Sequence, residues 1–324
     1  MAISIALPLV VLAAPLMSHA QPQAKLPRIG LLMGGSPAST APLAEAFQRG
    51  LRELGYVERQ HVAFEYRYAE GRAERLPDLA AELVRLKVNA IVVGAAPAIR
   101  AVKVATSTIP VVMAAVTDPL EAELVTSLAR PGGNITGVSA LAEGYSAKWL
   151  ELLKETAPKA TRIAVLVNPS NPSHTRYWRE TQAAARVLGV TVQPHEVRDP
   201  NELAGAFAAM AKERFGSLLV LPDPMFLVRR DQIVELSAKS RLPTMYGLRE
   251  FAEAGGLMAY GSDLREIYRH AAGFVAKILK GAKPGDLPVE QATRVELVIN
   301  LKTAKALGLT IPQSILVRAD QVLQ

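Results

Sequence analysis

Residues 111–119 read VVMAAVTDP, an apolar run of strand character that stops abruptly at Thr117, Asp118 and Pro119. A run without a polar residue from Val111 to Val116 reads as a strand buried on both faces, followed at once by polar groups where a helix is due to begin. The same arrangement returns at 218–224, LLVLPDP, with Asp223 in the corresponding place. One such stop would read as a helix cap; two suggest a plan shared by two halves.

Working outward, the first half offers strands at 29–33 (IGLLM), 62–68 (VAFEYRY), 90–94 (AIVVG) and 110–116 (PVVMAAV). Helical patterns lie between them. In 43–54, Leu43, Phe47, Gly50, Leu51 and Leu54 form one stripe, with Gly55 as the stop; in 75–86, Leu76, Leu79, Leu83 and Leu86 do the same. The second half restarts with strands at 163–167, 190–197, 217–221 and 243–247. The step from Ile29 to Leu54 and that from Ile163 to Leu188 are both 25 residues. Strands alternating with helices of this length predict right-handed crossovers and parallel sheets, so the fold class is α/β with two similar lobes.

After the second lobe come a long helix at 264–281, with Ile267, Ala271, Phe274 and Ile278 on one face, and the extended run VELVIN (295–300). One helix and one strand cannot form a third domain. The helix is expected to complete lobe 1 and the strand lobe 2, which gives lobe 1 as 26–140 plus 264–284 and lobe 2 as 141–263 plus 285–324. The chain then crosses between lobes near 139–142, 260–263 and 284–292, and several parallel crossings make a hinge.

The 324 residues are half hydrophobic and 21% charged, with a net charge of +7 spread along helices instead of clustered, so no nucleic-acid footprint is expected. The absence of cysteine excludes disulfides, thiolate metal sites and cysteine nucleophiles. His19, His61, His174, His195 and His270 lack metal-ligand spacing, and no cofactor is expected. Residues 1–20 read as a secretory signal cut after Ala20, apolar from Ile3 to Met17 and broken by Pro8 and Pro15. Its first residues carry no Lys or Arg, which allows a start upstream of Met1. With no cysteine for lipid attachment, a soluble exported, periplasmic protein is expected.

In open parallel sheets ligands sit beyond the carboxyl ends of the strands. The segments following the strands are GGSPAST (34–40), GAAPA (94–98), TDP (117–119), NPSNPS (168–173), PDPMF (222–226) and YGLRE (246–250), all small, polar or aromatic. Asp118 and Asp223, one from each lobe, are candidates to accept a ligand ammonium or hydroxyl, or alternatively to cap helices. Asn168 and Asn171 carry the same ambiguity. Ser36, Ser39 and Thr40 are candidates for helix capping, anion binding or both. Ala96 and Pro97 offer a backbone turn, Thr117 and Ser139 hydroxyls, Gly247 close approach, and Tyr246 and Tyr260 stacking surfaces. There is no G-x-G-x-x-G after a strand, no G-x-x-x-x-G-K-[ST], no G-x-S-x-G and no H-E-x-x-H, which shifts weight from catalysis to binding.

Five stretches carry a resemblance: LRELGYVERQHVAFEYRYAEGRAERLPDLAAELV (51–84), TSTIPVVMAAVTDPLEAELVTSLARPGGNITGVS (106–139), LVNPSNPS (166–173), REFAEAGGLMAYGSDL (249–264) and LPVEQATRVELVINLKTAKALGLTIP (287–312). Together they resemble the ABC transporter substrate-binding protein family that includes tryptophan- and tyrosine-binding members. The resemblance implies a type I periplasmic binding fold, two Rossmann-like lobes joined by a multi-strand hinge. It further implies a non-enzymatic receptor, a monomer, that closes on a small polar or zwitterionic solute, with an aromatic amino acid among the candidates. Its partners would be a permease, its sole link to the membrane, and an ATPase. Two departures bear on the ligand: the family's G-T-P-A reads Ala95-Ala96-Pro97-Ala98 here, without the hydroxyl at Ala96, and Trp149 replaces a usual basic residue. A module feeding a sensor and a cleft enzyme are the alternatives; a repressor would need an N-terminal helix-turn-helix where the export signal stands.

Overall fold

The computed structural model describes residues 26–117, 119, 120, 122–140 and 144–324; the signal reading, Asp118 and part of the first crossing lie outside them. The first half runs β1 (Arg28–Met33), α1 (Pro37–Glu53), β2 (Ala63–Tyr68), α2 (Leu76–Arg85), β3 (Ala90–Gly94), α3 (Ala96–Ala105), β4 (Val111–Thr117) and β5 (Ile135–Ala140). The second half opens with α4 (Tyr145–Thr156), β6 (Arg162–Val167), α5 (Ser173–Leu188), β7 (Thr191–Glu196), α6 (Leu203–Lys212) and β8 (Ser217–Val220). It continues through α7 (Pro224–Val228), α8 (Arg230–Lys239), β9 (Thr244–Tyr246), α9 (Arg249–Glu253) and β10 (Met258–Ser262). The C-terminal part comprises α10 (Leu264–Leu279), β11 (Glu290–Gln291), β12 (Val295–Asn300), α11 (Leu301–Leu307), α12 (Gln313–Leu316) and β13 (Gln321–Leu323).

Two sheets result. The six-stranded sheet has the order β11-β5-β4-β3-β1-β2 and the seven-stranded sheet β13-β12-β10-β9-β8-β6-β7. All pairings are parallel except β10 with β12. The central strands β3 and β8 are buried at every residue, as continuous apolar runs between two helical layers must be. Each sheet has a core on either face. In the first, Phe47 and Leu51 of α1 meet Ile267, Ala271, Phe274 and Ile278 of α10 above β1, β3 and β4. Gly50 lets these helices touch: a Cβ there would lie 2.4 Å from the Arg269 carbonyl oxygen.

The C-terminal segment divides between the sheets. Helix α10 packs on the first, β11 pairs with β5 there, and β12 pairs with β10 in the second. The sequence reading had no separate strand for 135–140, 258–262 or 321–323, where β5, β10 and β13 form. These runs are short, and β5 and β10 contain glycines; their strand character comes from pairing with β4 and β12, a tertiary effect that local pattern does not carry.

Candidate functional site

The carboxyl ends of the two sheets face each other, and the loops beyond them enclose a cavity of about 110 Å3. From the first sheet come Met33 at the end of β1 with Gly34 and Gly35 after it, Gly94 at the end of β3 with Ala95 and Ala96 after it, and Ala114, Ala115 and Thr117 of β4. The second contributes Asn171, Ser173 and Tyr177 around the start of α5, Pro222, Asp223 and Pro224 before α7, and Leu248. Leu264 and Tyr268 of α10 close one side. The walls meet directly. The Thr117 and Tyr177 hydroxyls are 3.0 Å apart across the gap, and a Cβ on Gly34 would touch Pro224 at 3.0 Å. Burial holds the Tyr177 phenol above its ordinary range, with the Thr117 hydrogen bond opposing it, so the latch stays protonated at any physiological pH.

Two wall residues have left-handed backbones without being glycine. Ala95 has φ 68° and ψ 145°, a region almost confined to glycine, and Ala115 has φ 59° at the bulge between β4 and β5. Such residues cost about 1–3 kcal/mol each and persist where surrounding structure enforces them, typically at ligand clamps. Ala95 turns the chain directly into α3, whose first-turn N–H groups at Ala96 and Ala98 have no intrahelical acceptor.

Asp223 occupies the wall, but its carboxylate is fully used. Oδ1 accepts from the Met225 and Phe226 N–H groups at 2.8 and 3.3 Å, capping α7, and Oδ2 accepts from the Asn168 and Asn171 amides at 3.2 and 2.9 Å. These four bonds occupy the acceptor positions of the carboxylate within its own chain. His174 completes the bracket. Its Nδ1 accepts from the Asn168 N–H at 2.8 Å, which leaves the proton on Nε2 to be donated to the Pro222 carbonyl at 3.0 Å. Burial pushes this imidazole below its ordinary range and keeps it neutral. Asn168, Asn171, His174 and Asp223 thus tie the loop after β6 to the loop after β8.

Of the other candidates, Thr40, Ala96 and Thr117 line the cavity beside Asn171 and Asp223, while Pro97 and Asn168 lie in a small adjoining recess. Ser36 and Ser39 form a reciprocal capping box at the start of α1, their hydroxyls engaged with each other's backbone. Ser39 faces a separate cleft with Arg230, Glu250 and Arg265. Ser139 is buried and donates to the Glu290 carbonyl at 3.4 Å. Tyr246 stands away from the cavity: its ring stacks on Phe251 at 4.7 Å and its hydroxyl donates to Ser237. Gly247 packs against Pro222, where a Cβ would come within 2.4 Å. Tyr260 belongs to the opposite core, edge-on to Tyr145. Both tyrosines leave their strands toward covering helices, a direction that strand ends alone do not reveal. Trp149 is likewise core, donating to the Tyr260 carbonyl at 2.7 Å, and it reaches the cavity only through its packing on Tyr177, with ring centroids 5.3 Å apart.

The sequence reading missed Tyr177, Tyr268 and Leu227, and it did not single out Ser173 and Leu248 within the segments 168–173 and 246–250 that it named. Tyr177 and Tyr268 sit on helices, and only the facing strand ends single them out.

The family described as ABC transporter substrate binding protein matches residues 37–323. The chain belongs to that family. A tyrosine-binding protein of Clostridioides difficile (strain R20291) is 27% identical over 267 residues, 82% of this chain and 76% of that protein. The crystal structure of an ABC domain in complex with L-Trp from Streptococcus pneumoniae is 31% identical, with a TM-score of 0.85 over 92% of this chain and all of the other (100%). A conserved domain protein from Vibrio cholerae O1 biovar El Tor N16961 is 28% identical, with a TM-score of 0.86 and the same coverage. The two lobes have the type I periplasmic binding protein fold, and the family is one of substrate-binding proteins, not enzymes. Among the described residues no cluster of His, Asp and Glu could hold a metal ion, and no helix is long and apolar enough to cross a membrane.

Proposed function

We propose that this protein is the periplasmic solute receptor of an ABC importer, exported by its N-terminal signal, which captures one small carboxylate-bearing solute between its lobes and delivers it to a membrane permease. Tyrosine and tryptophan, named for two relatives, share a carboxylate, an α-ammonium group and an aromatic side chain. What carries the reading is the Thr117–Tyr177 contact across a cavity to which both lobes contribute. A hydrogen bond that exists only when the lobes meet stabilises the closed state, and a solute touching both walls adds to it.

Isothermal titration with candidate solutes, run on the parent protein and on Tyr177→Phe, tests the proposal. Losing the latch should weaken binding about fivefold, the equivalent of roughly 1 kcal/mol, without lowering the melting temperature of the free protein. Equal affinity in both proteins would remove closure from the binding step. Uptake reconstituted with a candidate permease and ATPase separates import from sensing.

A further inference from the structure

Two carboxyls meet where the lobes join. Strand β10 hands the chain to α10 at Asp263, and β12 carries it into the second sheet with Glu296 as its second residue. These crossings run side by side: Ser262 stands opposite Val295 in the antiparallel ladder, and the Asp263 N–H donates to the Arg294 carbonyl at 3.4 Å. Beyond that point each carboxyl belongs to a different lobe. Asp263 Oδ1 accepts from the Arg265 and Glu266 N–H groups at 3.0 and 3.2 Å, so it moves with α10, which packs on the first sheet. Glu296 is 5% exposed on β12 of the second sheet, where Arg249 of α9 bonds its Oε2. Its Oε1 is buried and accepts no hydrogen bond among the described residues, with Arg294 Nε at 3.8 Å. The Asp263 and Glu296 side chains lie within hydrogen-bond reach of each other, and a proton on Glu296 supplies the donor that two facing carboxylates lack. The surrounding charges are engaged elsewhere as well. Arg249 also holds Glu253 at 3.0 Å and Gln321 of β13 at 2.7 Å, and Arg265 of α10 reaches back to Glu253 at 2.9 Å. Glu266 pairs with Arg269 at 2.8 Å, and Asp320 accepts the Leu297 N–H at 2.8 Å.

Resting on the receptor reading above, we propose that the Asp263–Glu296 pair is a proton-operated clasp in the hinge: closing the lobes takes up one proton from solvent onto Glu296, and losing that proton favours the open form and release of the solute. Rotating one lobe on the other at this crossing swings Asp263 with α10, while Arg249 keeps Glu296 on β12. Opening therefore separates the two carboxyls and admits water between them. With the lobes together, as Thr117 and Tyr177 hold them, burial and the facing Asp263 carboxylate push the Glu296 carboxyl up to about 7; once separated it returns toward its ordinary 4.5. The closed form thus holds the proton more tightly than the open one. The clasp contributes fully to closure below the ordinary value and is lost as pH rises through about 7. Above that window two ionised carboxylates face each other, a repulsion that Arg249 and Arg294 offset in part.

The test reads lobe separation directly. Val104→Cys and Val187→Cys, exposed and one on each lobe, carry spin labels on the full chain, and their distance is measured without solute at about pH 5.5 and about pH 8. The ratio of short to long distances should be about tenfold higher at the lower pH. Glu296→Gln, which keeps a hydrogen-bond donor at every pH, should show the low-pH distribution at both values. Asp263→Asn retains the cap of α10 without the charge and should lose most of the response. His270→Gln should respond as the parent does, because the His270–Glu290 pair at 2.7 Å joins α10 to β11 within the first lobe. A parent distribution that ignores pH, or an equal response in Glu296→Gln, would overturn the clasp. Titration with L-tryptophan and L-tyrosine separates this outcome from failure of the receptor reading. A solute that binds and closes the lobes should do so about tenfold more tightly at the lower pH, and equal affinity at both values would leave the receptor standing without its clasp. A pH response with no closure on either amino acid would support the clasp and count against the receptor reading for these two solutes.

Discussion

Asp223 shows how a residue readable from sequence can change meaning in three dimensions. Its place before Pro224 at a strand end marked it equally as a cap or a ligand acceptor. The cap prevails because two backbone N–H groups and two buried amides converge on it. Asp223→Ala should therefore lower the unfolding free energy by about 2–4 kcal/mol, since the cap is lost and the Asn168 and Asn171 amides are stranded. Chemical denaturation measures this; a parent-like midpoint would contradict the bracket described above. Thr117→Val and Tyr177→Phe belong to the same scale, and their combined effect on affinity should fall short of the sum of the single effects because both remove one bond. Much of the wall was legible: Thr40, Ala96, Asn171 and Asp223 follow strands and Thr117 ends one, and topology sends strand ends to the cleft. Tyr177 and Tyr268 were not, because a helical stripe does not say which flanking residue faces a neighbour's strand end.

At the scale of elements, the contact between α1 and α10 is set by backbone proximity. Helix preference alone would favour Gly50→Ala by about 1 kcal/mol. The added Cβ would instead lie 2.4 Å from a carbonyl oxygen that cannot rotate away, and displacing α10 costs about 1–3 kcal/mol, so a lower melting temperature is expected. The alternation of strands and helices, and the return of 264–281 to the first sheet, were readable because α10 carries a clean apolar stripe. Strands β5, β10 and β13 escaped because their pairing partners define them. Where α10 and β12 leave the crossings, Asp263 caps α10 and Glu296 lies buried on β12. Burial, reinforced by Asp263, pushes the Glu296 carboxyl up to about 7, with Arg249 and Arg294 opposing. Asp263 moves the other way: burial would raise it, but hydrogen bonds from Glu296 and the Glu266 and Arg265 N–H groups hold it low. The signs are opposite. Between the ordinary value of 4.5 and about 7 the folded chain keeps a proton on Glu296 that the unfolded chain has released, so stability from this group falls as pH rises through that window. The contribution of Asp263 disappears only in acid, below its ordinary 3.8. Glu296→Gln should flatten the loss of melting temperature between these pH values; an unchanged slope would place the titrating group elsewhere.

The whole molecule consists of two lobes that meet face to face, joined where the chain passes from β5 to α4, from β10 to α10 and from β11 to β12. The duplicated layout was visible in the equal 25-residue steps of the two halves, whereas how far the lobes close depends on contacts such as Thr117 with Tyr177 that no local pattern encodes. Lobe motion can be measured directly on this chain because it contains no cysteine. Val104 at the last turn of α3 and Val187 at the last turn of α5 are 90% and 88% exposed, one on each lobe at the helix end remote from the cavity, and both accept a labelled cysteine without disturbing a core. The measurement is the spin-label distance between Val104→Cys and Val187→Cys, without solute and with a saturating organic acid or amino acid that binds by titration. The account predicts a longer, broader distribution in the free protein that collapses to a single shorter distance on binding. An identical distribution in both states would show a rigid cavity and contradict capture by closure.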